Sequence, residues 1–548
     1  MKKIIYTFLF HFMSLVIFFG DVSDAKTIQI LHTNDLHGYF DHYEHFPERG
    51  GYAAVKTVID QYRQWGENAG IETIYVDAGD FSEGQIFYNA NDGERAFKML
   101  DHLGVDIGVL GNHDYLMGTD SLDQVLGTVQ LKVPLLGTNV HIEEEYTHIK
   151  KSVIPFVTKN FDDIKVAFMG VTTDSALYTW RINNGEVSDP IKTGKKWAKR
   201  LAKDHDFVIA INHIGVGMDK KFAKKSKKYV DLVIGAHSHT TLHQPIWIKG
   251  KGKKKIAVVQ AGKHGKYVGR ILLDLNKGEP LKLLKYQLLP IKNIYKDEYI
   301  QTLVATANND LFHQYGEDWL KTIVGYSDLP ISRGPDDDDD DKTYPAGTAK
   351  SIYQNFIVDA LKESVDADVA INPAPMAGHH FPIGAVTRRD IMNSYPRVFD
   401  FKDPLGWHVY TAKVQGSWLK NLLKWVMVLG FEHKLYLSGI DFQYRWRGKK
   451  RALIKNLTIN GAPIDEDKMY TVALPEGIVR GGFAISKLTG LLLKKSQRTM
   501  IPIWQALEDK FLRDGRVGLD YLNNFALKQL SRGKISEHMV VTPPSDEH

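Results

Sequence analysis

Five stretches in the first half of the chain place metal-binding or acid–base side chains directly after an apolar run. They are TIQILHTNDLHG (27–38), ETIYVDAGD (72–80), VDIGVLGNHD (105–114), DFVIAINHIG (206–215) and DLVIGAHSHT (231–240). Their carboxylate, imidazole and amide groups suit manganese, iron, zinc or nickel, and not copper or iron–sulfur sites built on soft ligands. Because the chain contains no cysteine, thiolate ligands, disulfides and a cysteine nucleophile are excluded. These stretches predict a divalent-metal site with nitrogen and oxygen ligands.

Seven residues of these stretches are candidate ligands. They are Asp35, His37, Asp80, Asn112, His213, His237 and His239. Asp35 and His37 are two residues apart, as are His237 and His239, and such a step at a strand end can send both side chains to one side. A single buried histidine is more often packed than metal-bound. Seven such residues at equivalent positions are poorly explained by packing, so we interpret them as one site.

The apolar runs indicate the elements that must position these residues. Runs rich in Ile and Val suit strands buried on both faces, and helix-like stretches lie between several of them, as at 53–65 and 93–103. A layered sheet with helices outside it is the economical architecture. Ligands of such sheets bind beyond the carboxyl ends of the strands. All five polar clusters are expected at that edge.

Length and composition indicate a globular protein of two domains. The chain has 548 residues, of which 43% are hydrophobic and 25% charged, which is typical of soluble multidomain proteins. The net charge of +5 is small for this length. Binders of nucleic acid usually concentrate much more basic charge on one face, so no nucleic acid polymer is expected as a partner.

The first 25 residues resemble a signal peptide. Lys2 and Lys3 precede an apolar stretch, and Ser23 and Ala25 supply the small residues of a cleavage site. A membrane anchor is the alternative, but the stretch is short for a spanning helix. We expect an exported protein, periplasmic or secreted, without stable membrane insertion.

The blocks ILHTNDLHG, DAGD, GNHD, NHIG and GAHSH occur here in the order found in calcineurin-like metallophosphoesterases. More narrowly, the chain resembles the exported 5′-nucleotidase / UDP-sugar hydrolase / 2′,3′-cyclic phosphodiesterase family. The resemblance implies an α/β (α+β) protein, with an N-terminal metallophosphoesterase β-sandwich flanked by helices and a C-terminal 5′-nucleotidase-type α/β substrate domain. The expected segments are a signal peptide (1–25), a catalytic domain (26–295), a helical and Asp-rich linker (296–347), a substrate domain (348–540) and a tail (541–548).

The resemblance also implies a role for each candidate ligand. Asp35, His37 and His239 are assigned to a first metal ion, and Asn112, His213 and His237 to a second. Asp80 is expected to bridge the two ions, which are manganese, zinc, iron or nickel, with manganese favoured. Paired ions about 3.5–4 Å apart can clamp an in-line displacement at phosphorus. His113 is then the catalytic group that stabilises developing charge or protonates the leaving group.

The partner of His113 departs from the family pattern. Relatives usually read G-N-H-E-x-D, and the last aspartate orients the histidine, whereas this chain has Leu116 there. Glu83, three residues after Asp80, matches the offset at which related Ser/Thr phosphatases place an orienting carboxylate. Asp114 is nearer in sequence but is expected to bond the loop backbone. Glu83 is therefore the predicted partner, and a His113 without any carboxylate partner is the alternative.

The second half resembles the family's substrate domain less evenly. Phe483 follows two glycines, where one base-stacking ring is expected, although a plain core aromatic is the alternative. Asn372 begins NPAPM where relatives carry an N-G-G-x-R segment, and Arg397 lies in PRVF where relatives have P-F-x-N. We predict substrate contacts for all three. The six aspartates at 336–341 indicate an exposed linker, with a calcium site as the alternative.

These observations favour an exported two-metal phosphohydrolase acting on nucleotides or related small phosphoesters. One alternative is a thiosulfohydrolase of sulfur oxidation, which resembles this architecture and acts on a sulfonate group. The other is a binding protein on a scaffold that has lost catalysis, against which the complete set of seven ligands argues.

Overall fold

The computed structural model describes residues 25–43, 45–328, 348–373, 376–398, 401, 403–428, 435–446, 452–480, 496–518 and 527–530. Four predicted features lie outside these described residues: positions 1–24 of the signal peptide, the aspartates at 336–341, Phe483 and the tail 541–548. No helix within the described ranges is both long enough and apolar enough to cross a membrane.

The first half of the chain builds two large sheets. In chain order its strands are β1 (Lys26–Thr33), β2 (Glu72–Asp77), β3 (Ile107–Val109), β4 (Leu135–Leu136), β5 (Val140–Ile142), β6 (Val153–Ile154), β7 (Phe156–Phe161), β8 (Ile164–Met169), β9 (Gly185–Val187), β10 (Phe207–Ile211), β11 (Leu232–Ile234), β12 (Ile246–Lys249), β13 (Lys255–Val259), β14 (Tyr267–Leu275) and β15 (Lys282–Pro290). One sheet has the order β15-β14-β1-β2-β3-β4-β6, and the other β12-β13-β11-β10-β8-β7.

Seven helices accompany these strands. They are α1 (Tyr52–Asn68), α2 (Glu94–Leu103), α3 (Thr119–Val129), α4 (Thr147–Ser152), α5 (Ala176–Thr179), α6 (Pro190–Leu201) and α7 (Val216–Lys225). Local sequence sets several helix ends. Asp189 caps α6 by accepting the backbone N–H groups of Ile191 and Lys192, and Pro190 occupies the first helical position. Gly104 ends α2 in the left-handed region, at φ 77°.

The two sheets pack face to face around an apolar core. Ile28 and Ile30 of β1 meet residues such as Ile209 and Ile211 of β10 in this core. The opposite faces of the sheets carry helices, because the strands are apolar on both sides. For example, Phe222 of α7 packs with the second sheet. The predicted β-sandwich flanked by helices is confirmed.

The strand order brings the five polar stretches to one edge. β1, β2 and β3 are parallel neighbours in the first sheet, and β10 and β11 are parallel neighbours in the second. Parallel neighbours end at the same edge of a sheet, where connecting loops can meet. The polar residues that follow these five strands therefore lie in adjacent loops.

The second half of the chain contains further helices and strands. Its helices are α8 (Glu298–Tyr315), α9 (Glu317–Lys321), α10 (Thr348–Ser364), α11 (Arg388–Ser394), α12 (Gly416–Val428), α13 (Glu476–Val479) and α14 (Ile503–Asp514). Its strands are β16 (Ile323–Ser327), β17 (Val369–Pro373), β18 (Gly384–Thr387), β19 (His408–Gln415), β20 (Leu435–Ser438), β21 (Ile440–Trp446), β22 (Ala452–Ile459), β23 (Ala462–Pro463), β24 (Met469–Pro475), β25 (Gln497–Pro502), β26 (Arg516–Val517) and β27 (Leu527–Leu530).

These strands form three sheets, with orders β20-β17-β24-β19-β25, β23-β22-β21-β27 and β18-β16-β26. The predicted C-terminal α/β domain is confirmed. β16 differs from the sequence-based expectation, because it lies in the segment interpreted as a linker and yet pairs with β18 and β26. A five-residue strand that follows a helix directly carries too little periodicity to be recognised from sequence.

The two halves share a buried interface. One continuous hydrophobic cluster includes residues of both, such as Phe87 and Val398. The backbone N–H of Ile86 donates to the Asn393 side-chain oxygen at 2.9 Å, and Asn393 lies on α11. A capping box between Thr387 and Asp390 starts this helix. The start of α11 is therefore fixed by local contacts. The C-terminal end of this helix, which includes Asn393, packs against the first half of the chain.

Candidate active site

The loops after β1 and β2 run side by side and are joined by backbone hydrogen bonds. The N–H of Asp35 donates to the Gly79 carbonyl at 2.9 Å, and the N–H of His37 donates to the Asp80 carbonyl at 2.9 Å. Three of the seven candidate ligands are thereby held in two adjacent loops at the edge of the first sheet.

Five candidate ligands have left-handed backbone conformations. They are Asp35 (φ 52°), His37 (φ 50°), Asp80 (φ 57°), His237 (φ 72°) and His239 (φ 56°). The two-residue spacing predicted only that both side chains of a pair can lie on one side, and it gave no sign that left-handed backbone would bring them there. Each left-handed residue other than glycine costs about 1–2 kcal/mol. Such strain clusters where function requires a particular side-chain direction.

Asp35, His37 and His239 form one group of possible ligand atoms, all within 4.8 Å of one another. His239 Nε2 lies 3.4 Å from Asp35 Oδ1 and 3.1 Å from His37 Nε2. His37 Nδ1–H donates to the Glu83 carbonyl at 2.5 Å. That bond leaves Nε2 of His37 as the nitrogen available to a cation.

Asp80, His213 and His237 form a second such group within 4.8 Å. His213 Nε2 lies 2.9 Å from Asp80 Oδ2, and His213 Nδ1–H donates to the Ala78 carbonyl at 2.8 Å. Asp80 Oδ2 is also 3.9 Å from Nε2 of His37, in the first group. Asp80 therefore lies between the two groups, which is the position of a bridging ligand.

Asn112 completes the set of candidate ligands. It is fully buried, and neither its Oδ1 nor its Nδ2 has a hydrogen-bond partner among the described residues. Leaving a buried polar group unsatisfied costs about 1–3 kcal/mol. The next residue, His113, donates its backbone N–H to Asp80 Oδ1 at 2.7 Å, so Asn112 lies beside the second group. A cation there would satisfy the amide oxygen, so the residues fit a metal.

The electrostatics of the two groups favour a bound cation. Burial lowers the pKa of His37 to about 3 and that of His237 to about 4. Burial also raises the pKa of the Asp80 carboxyl, but neighbouring imidazoles, His213 foremost, outweigh it and hold this pKa well below its usual range. At neutral pH His37 and His237 are therefore neutral and Asp80 is ionised, as metal binding requires. Burial lowers the pKa of His213, but the Asp80 carboxylate outweighs burial and raises this pKa to about 10. A metal ion bound by His213 would therefore take the place of a proton.

His113 follows β3 in a short 3-10 helix over His113–Tyr115. Its side chain is 13% exposed, whereas that of Glu83 is 1% exposed. Nδ1–H of His113 donates to Glu83 Oε2 in a short hydrogen bond. The imidazole edge also lies against His37, with ring centroids 4.9 Å apart. The structure therefore brings the predicted catalytic residues Glu83 and His113 together, next to the first group of ligands.

Asp114 has a different set of contacts. Its carboxylate accepts the backbone N–H groups of Gly111, Asp80, Phe81 and Ser82 at 2.8–3.1 Å, and the Ser82 hydroxyl at 2.8 Å. Burial raises its pKa to about 6. Asp114 binds the loop backbone, as expected from the sequence, and so holds the Asp80 loop against the His113 loop.

Arg397 contacts protein where a substrate contact was predicted. Its Nη1–H donates to Glu83 Oε2 at 2.8 Å, and its Nε–H donates to the Met376 carbonyl at 3.0 Å. The residue is only 8% exposed. No local pattern could have revealed this pair, because the two residues are 314 positions apart. The available signals are two departures from the family pattern: Leu116 stands where relatives have the orienting aspartate, and Arg397 lies in PRVF where relatives have P-F-x-N.

Asn372 does not join the site. It is fully buried in β17, its Nδ2–H donates to Gln354 Oε1 at 3.3 Å, and its Oδ1 accepts the Tyr395 hydroxyl at 3.0 Å. Both ends of the amide therefore have partners inside the C-terminal half, and the predicted contact between Asn372 and substrate stays a prediction. The NPAPM segment gave no indication that Tyr395 and Gln354 would form hydrogen bonds with both ends of the Asn372 amide.

A stack of aromatic side chains beside the first ligand group was not anticipated. Tyr39 stacks on His264 at 3.6 Å and on His379 at 4.5 Å between ring centroids. His264 also lies 5.7 Å from His37. His379 belongs to the C-terminal half, in the segment GHHFP (378–382). Both halves therefore contribute to the wall beside His37.

Comparison with known proteins matches both halves. Residues 28–241 match the family described as calcineurin-like phosphoesterase, and residues 338–489 match that described as 5′-nucleotidase, C-terminal domain. The protein UshA of Yersinia enterocolitica is 25% identical over 521 residues, covering 85% of this chain and 87% of that protein. The chain is thus similar to this relative over most of both lengths.

Two solved structures show the same fold. The 5′-nucleotidase precursor of Thermus thermophilus aligns with a TM-score of 0.73 and 19% identity, covering 92% of this chain and 100% of that one. The sulfate thiohydrolase SoxB of the same species aligns with a TM-score of 0.70 and 15% identity, covering 92% and 97%. At these identities the likeness concerns the fold alone.

Proposed function

Because this chain belongs to the calcineurin-like phosphoesterases that carry a 5′-nucleotidase C-terminal domain, and is thus a hydrolase of phosphoester bonds, we propose that it is a two-metal enzyme acting on nucleotides or related small phosphoesters. The observation that carries this proposal is the position of Asp80. Its carboxylate lies 2.9 Å from His213 and 3.9 Å from His37, between two groups of ligand atoms.

Each group of ligand atoms would hold one divalent ion. Asp35, His37 and His239 would hold the first, His213, His237 and Asn112 the second, and Asp80 would serve both. This mixture of imidazole, carboxylate and amide suits manganese, zinc, iron or nickel, and we take manganese as the metal to test first. When bound, such a pair supplies Lewis-acid activation of a water nucleophile and neutralises phosphoryl charge.

The acid–base work falls to His113 and Glu83. Because Glu83 accepts the Nδ1–H of His113, the imidazole is oriented with Nε2 as its remaining nitrogen. Nε2 can then donate a proton to the leaving oxygen, or a hydrogen bond to a charged phosphoryl oxygen. The carboxylate stabilises the imidazolium that this transfer requires.

We further propose that the mature protein is exported and acts in the periplasm or after secretion. The supporting observation is the charged and then apolar pattern of residues 1–25, with small residues before the expected cleavage site. A small, soluble phosphoester in that compartment would be the substrate.

A phosphate-release assay tests the proposed function. Purified protein loaded with Mn²⁺ is offered AMP, UDP-glucose and 2′,3′-cyclic AMP, in parallel with a thiosulfate-linked substrate. The nucleotide products are also separated by chromatography, because the first hydrolysis of UDP-glucose gives UMP and glucose 1-phosphate, and that of 2′,3′-cyclic AMP gives a nucleoside monophosphate, without free phosphate. We expect phosphate from at least one nucleotide and none after treatment with a chelator. Release of sulfate alone would favour the thiosulfohydrolase alternative. No turnover of any substrate would favour a binding protein.

We expect weak selectivity among nucleobases. The segment NPAPM (372–376) lacks the family's arginine, and the Asn372 amide is occupied inside its own domain. A site built to hydrogen-bond one base can reject another by about 10⁴- to 10⁵-fold, whereas stacking tolerates all bases because each has a π-face. AMP and UMP should therefore differ by less than about tenfold in kcat/KM. A difference in kcat/KM above about 100-fold would contradict the expectation of weak base selectivity.

A further inference from the structure

We propose that Arg397 is a positioning residue, by which the C-terminal half of the chain holds Glu83 in place to orient His113. This inference rests on the proposed function. It replaces the predicted contact between Arg397 and substrate. It also means that the acid–base pair is complete only when the two halves of the protein are packed together.

The geometry places both donors on one carboxylate oxygen. Oε2 of Glu83 accepts Nδ1–H of His113 and also Nη1–H of Arg397, the latter at 2.8 Å. Nη1 of Arg397 and Nδ1 of His113 are 3.4 Å apart. A guanidinium has only donors, so it cannot accept the imidazole proton in place of Glu83. Arg397 therefore acts on His113 through the carboxylate.

Burial makes the arginine necessary. The Glu83 side chain is 1% exposed and that of Arg397 is 9% exposed. A carboxylate in such surroundings is costly without an opposite charge and further hydrogen bonds. The guanidinium supplies both, and a charge-assisted bond of this kind also fixes the direction of the carboxylate. Removing Arg397 would leave the Glu83 carboxylate free to adopt other rotamers.

The arginine is itself held by the C-terminal half. Its backbone N–H donates to the Tyr395 carbonyl at 2.8 Å, and its carbonyl accepts the N–H of Trp407 at 3.1 Å. Its Nε–H donates to the Met376 carbonyl at 3.0 Å. The guanidinium therefore reaches Glu83 from a fixed base, which is what positioning requires.

A second bond ties the same two segments together. Ile86, three residues after Glu83, donates its backbone N–H to the side chain of Asn393, four residues before Arg397, at 2.9 Å. The Glu83 loop is thus attached at two points to the segment formed by the end of α11 and the residues after it. Separation of the halves would break both attachments and leave Glu83 without the groups that hold it against His113.

Two substitutions and a matched control test the inference. Arg397→Met removes the charge but keeps much of the volume, whereas Arg397→Lys keeps the charge. Arg389→Met is the control, because Arg389 also reaches across the interface, where it lies over the Phe87 ring, and it donates to Asn308 of α8 at 2.7 Å. Arg389 has no contact with Glu83 among the described residues, so it reports general loosening of the interface.

We expect Arg397→Met to lower kcat for the best phosphoester by about 100-fold, with KM changed by less than about threefold. Arg397→Lys should recover part of that loss, and Arg389→Met should stay near wild type. Adding Arg397→Met to Glu83→Gln should cost little more than Glu83→Gln alone. A rise in KM with unchanged kcat in Arg397→Met would overturn the inference. It would favour instead the predicted contact between Arg397 and substrate.

A spectroscopic measurement does not depend on turnover. In zinc-loaded protein labelled with ¹⁵N-histidine, the Nδ1–H signal of His113 can be assigned by its loss in His113→Gln. Arg397→Met should shift or broaden this signal, and Arg389→Met should not. An unchanged signal in Arg397→Met would overturn the inference, even if no phosphoester were hydrolysed. If the wild-type protein hydrolysed no phosphoester, the proposed function would be contradicted. The Nδ1–H signal of His113 would still test whether Arg397 positions Glu83.

Discussion

Replacing Glu83 with Gln is expected to lower kcat for phosphoester hydrolysis by about 100-fold or more, with both metal ions retained. Glu83 accepts the Nδ1–H of His113 and is buried beside it. A glutamine can still accept a hydrogen bond but carries no charge to stabilise the imidazolium. It can also present its NH₂ group, which favours the wrong tautomer. Steady-state kinetics with metal analysis of the same samples measure the effect.

Three companion variants sharpen this test. His113→Ala added to Glu83→Gln should cost little beyond the single change, because the two residues act as one unit. Glu508→Gln is a matched control, since Glu508 is also a buried glutamate paired with an arginine, Arg388, at 2.8 Å. It should leave kcat near wild type. If Glu83→Gln were nearly silent while Asp114→Asn abolished turnover, Asp114 would be the orienting carboxylate.

Replacing Asp80 with Ala is expected to abolish binding of both metals and to lower kcat by at least about 1,000-fold. The carboxylate lies between the two groups of ligands, so its loss removes a ligand from each ion, whereas loss of one histidine affects only one. The same change removes the acceptor for the His113 backbone N–H. Metal stoichiometry by mass spectrometry, alongside phosphate release, measures both effects.

His237→Ala and His239→Ala are the comparisons for Asp80→Ala. Each removes a ligand from one group only, so each should retain about one equivalent of metal. Retention of two equivalents by Asp80→Ala would contradict the bridging role. Equal metal loss in all three variants would show that the two ions bind only as a pair. The assignment of Asp80 as the bridging ligand would then have no support from metal content.

The metal ligands could be predicted because their signal is local. Each follows an apolar strand within a few residues, and parallel strands bring such positions to one edge of a sheet. The backbone that aims them could not be predicted, since Asp35 and His37 reach the site through left-handed conformations. Those conformations are imposed by bonds between loops, such as that from His37 N–H to the Asp80 carbonyl.

Contacts between the two halves were the least predictable. The Glu83 placement followed from an offset of three residues after Asp80, which is local. The pairing of Glu83 with Arg397 depends on how two domains pack, and no pattern in either segment reports that packing. For Asn372, the information that the sequence lacked concerns packing within the C-terminal half itself. A motif shows that an amide is present, but only the fold shows that Tyr395 and Gln354 already occupy it.

A shared fold does not select the reaction, because one fold hosts several chemistries. The likeness in fold is similar for a 5′-nucleotidase precursor and for a sulfate thiohydrolase, with TM-scores of 0.73 and 0.70. The proposal therefore depends on the site itself: two groups of ligands that share Asp80, with an oriented histidine beside them. The family of both halves then favours phosphorus over sulfur.

The most direct test of this site is a metal titration of hydrolysis. Metal-free protein, prepared with a chelator and dialysed, is titrated with Mn²⁺ while phosphate release from the best substrate is followed. We predict no turnover without metal and a plateau in rate at two equivalents of Mn²⁺ per chain. Turnover that survives metal removal, or a plateau at one equivalent, would contradict the two-metal site.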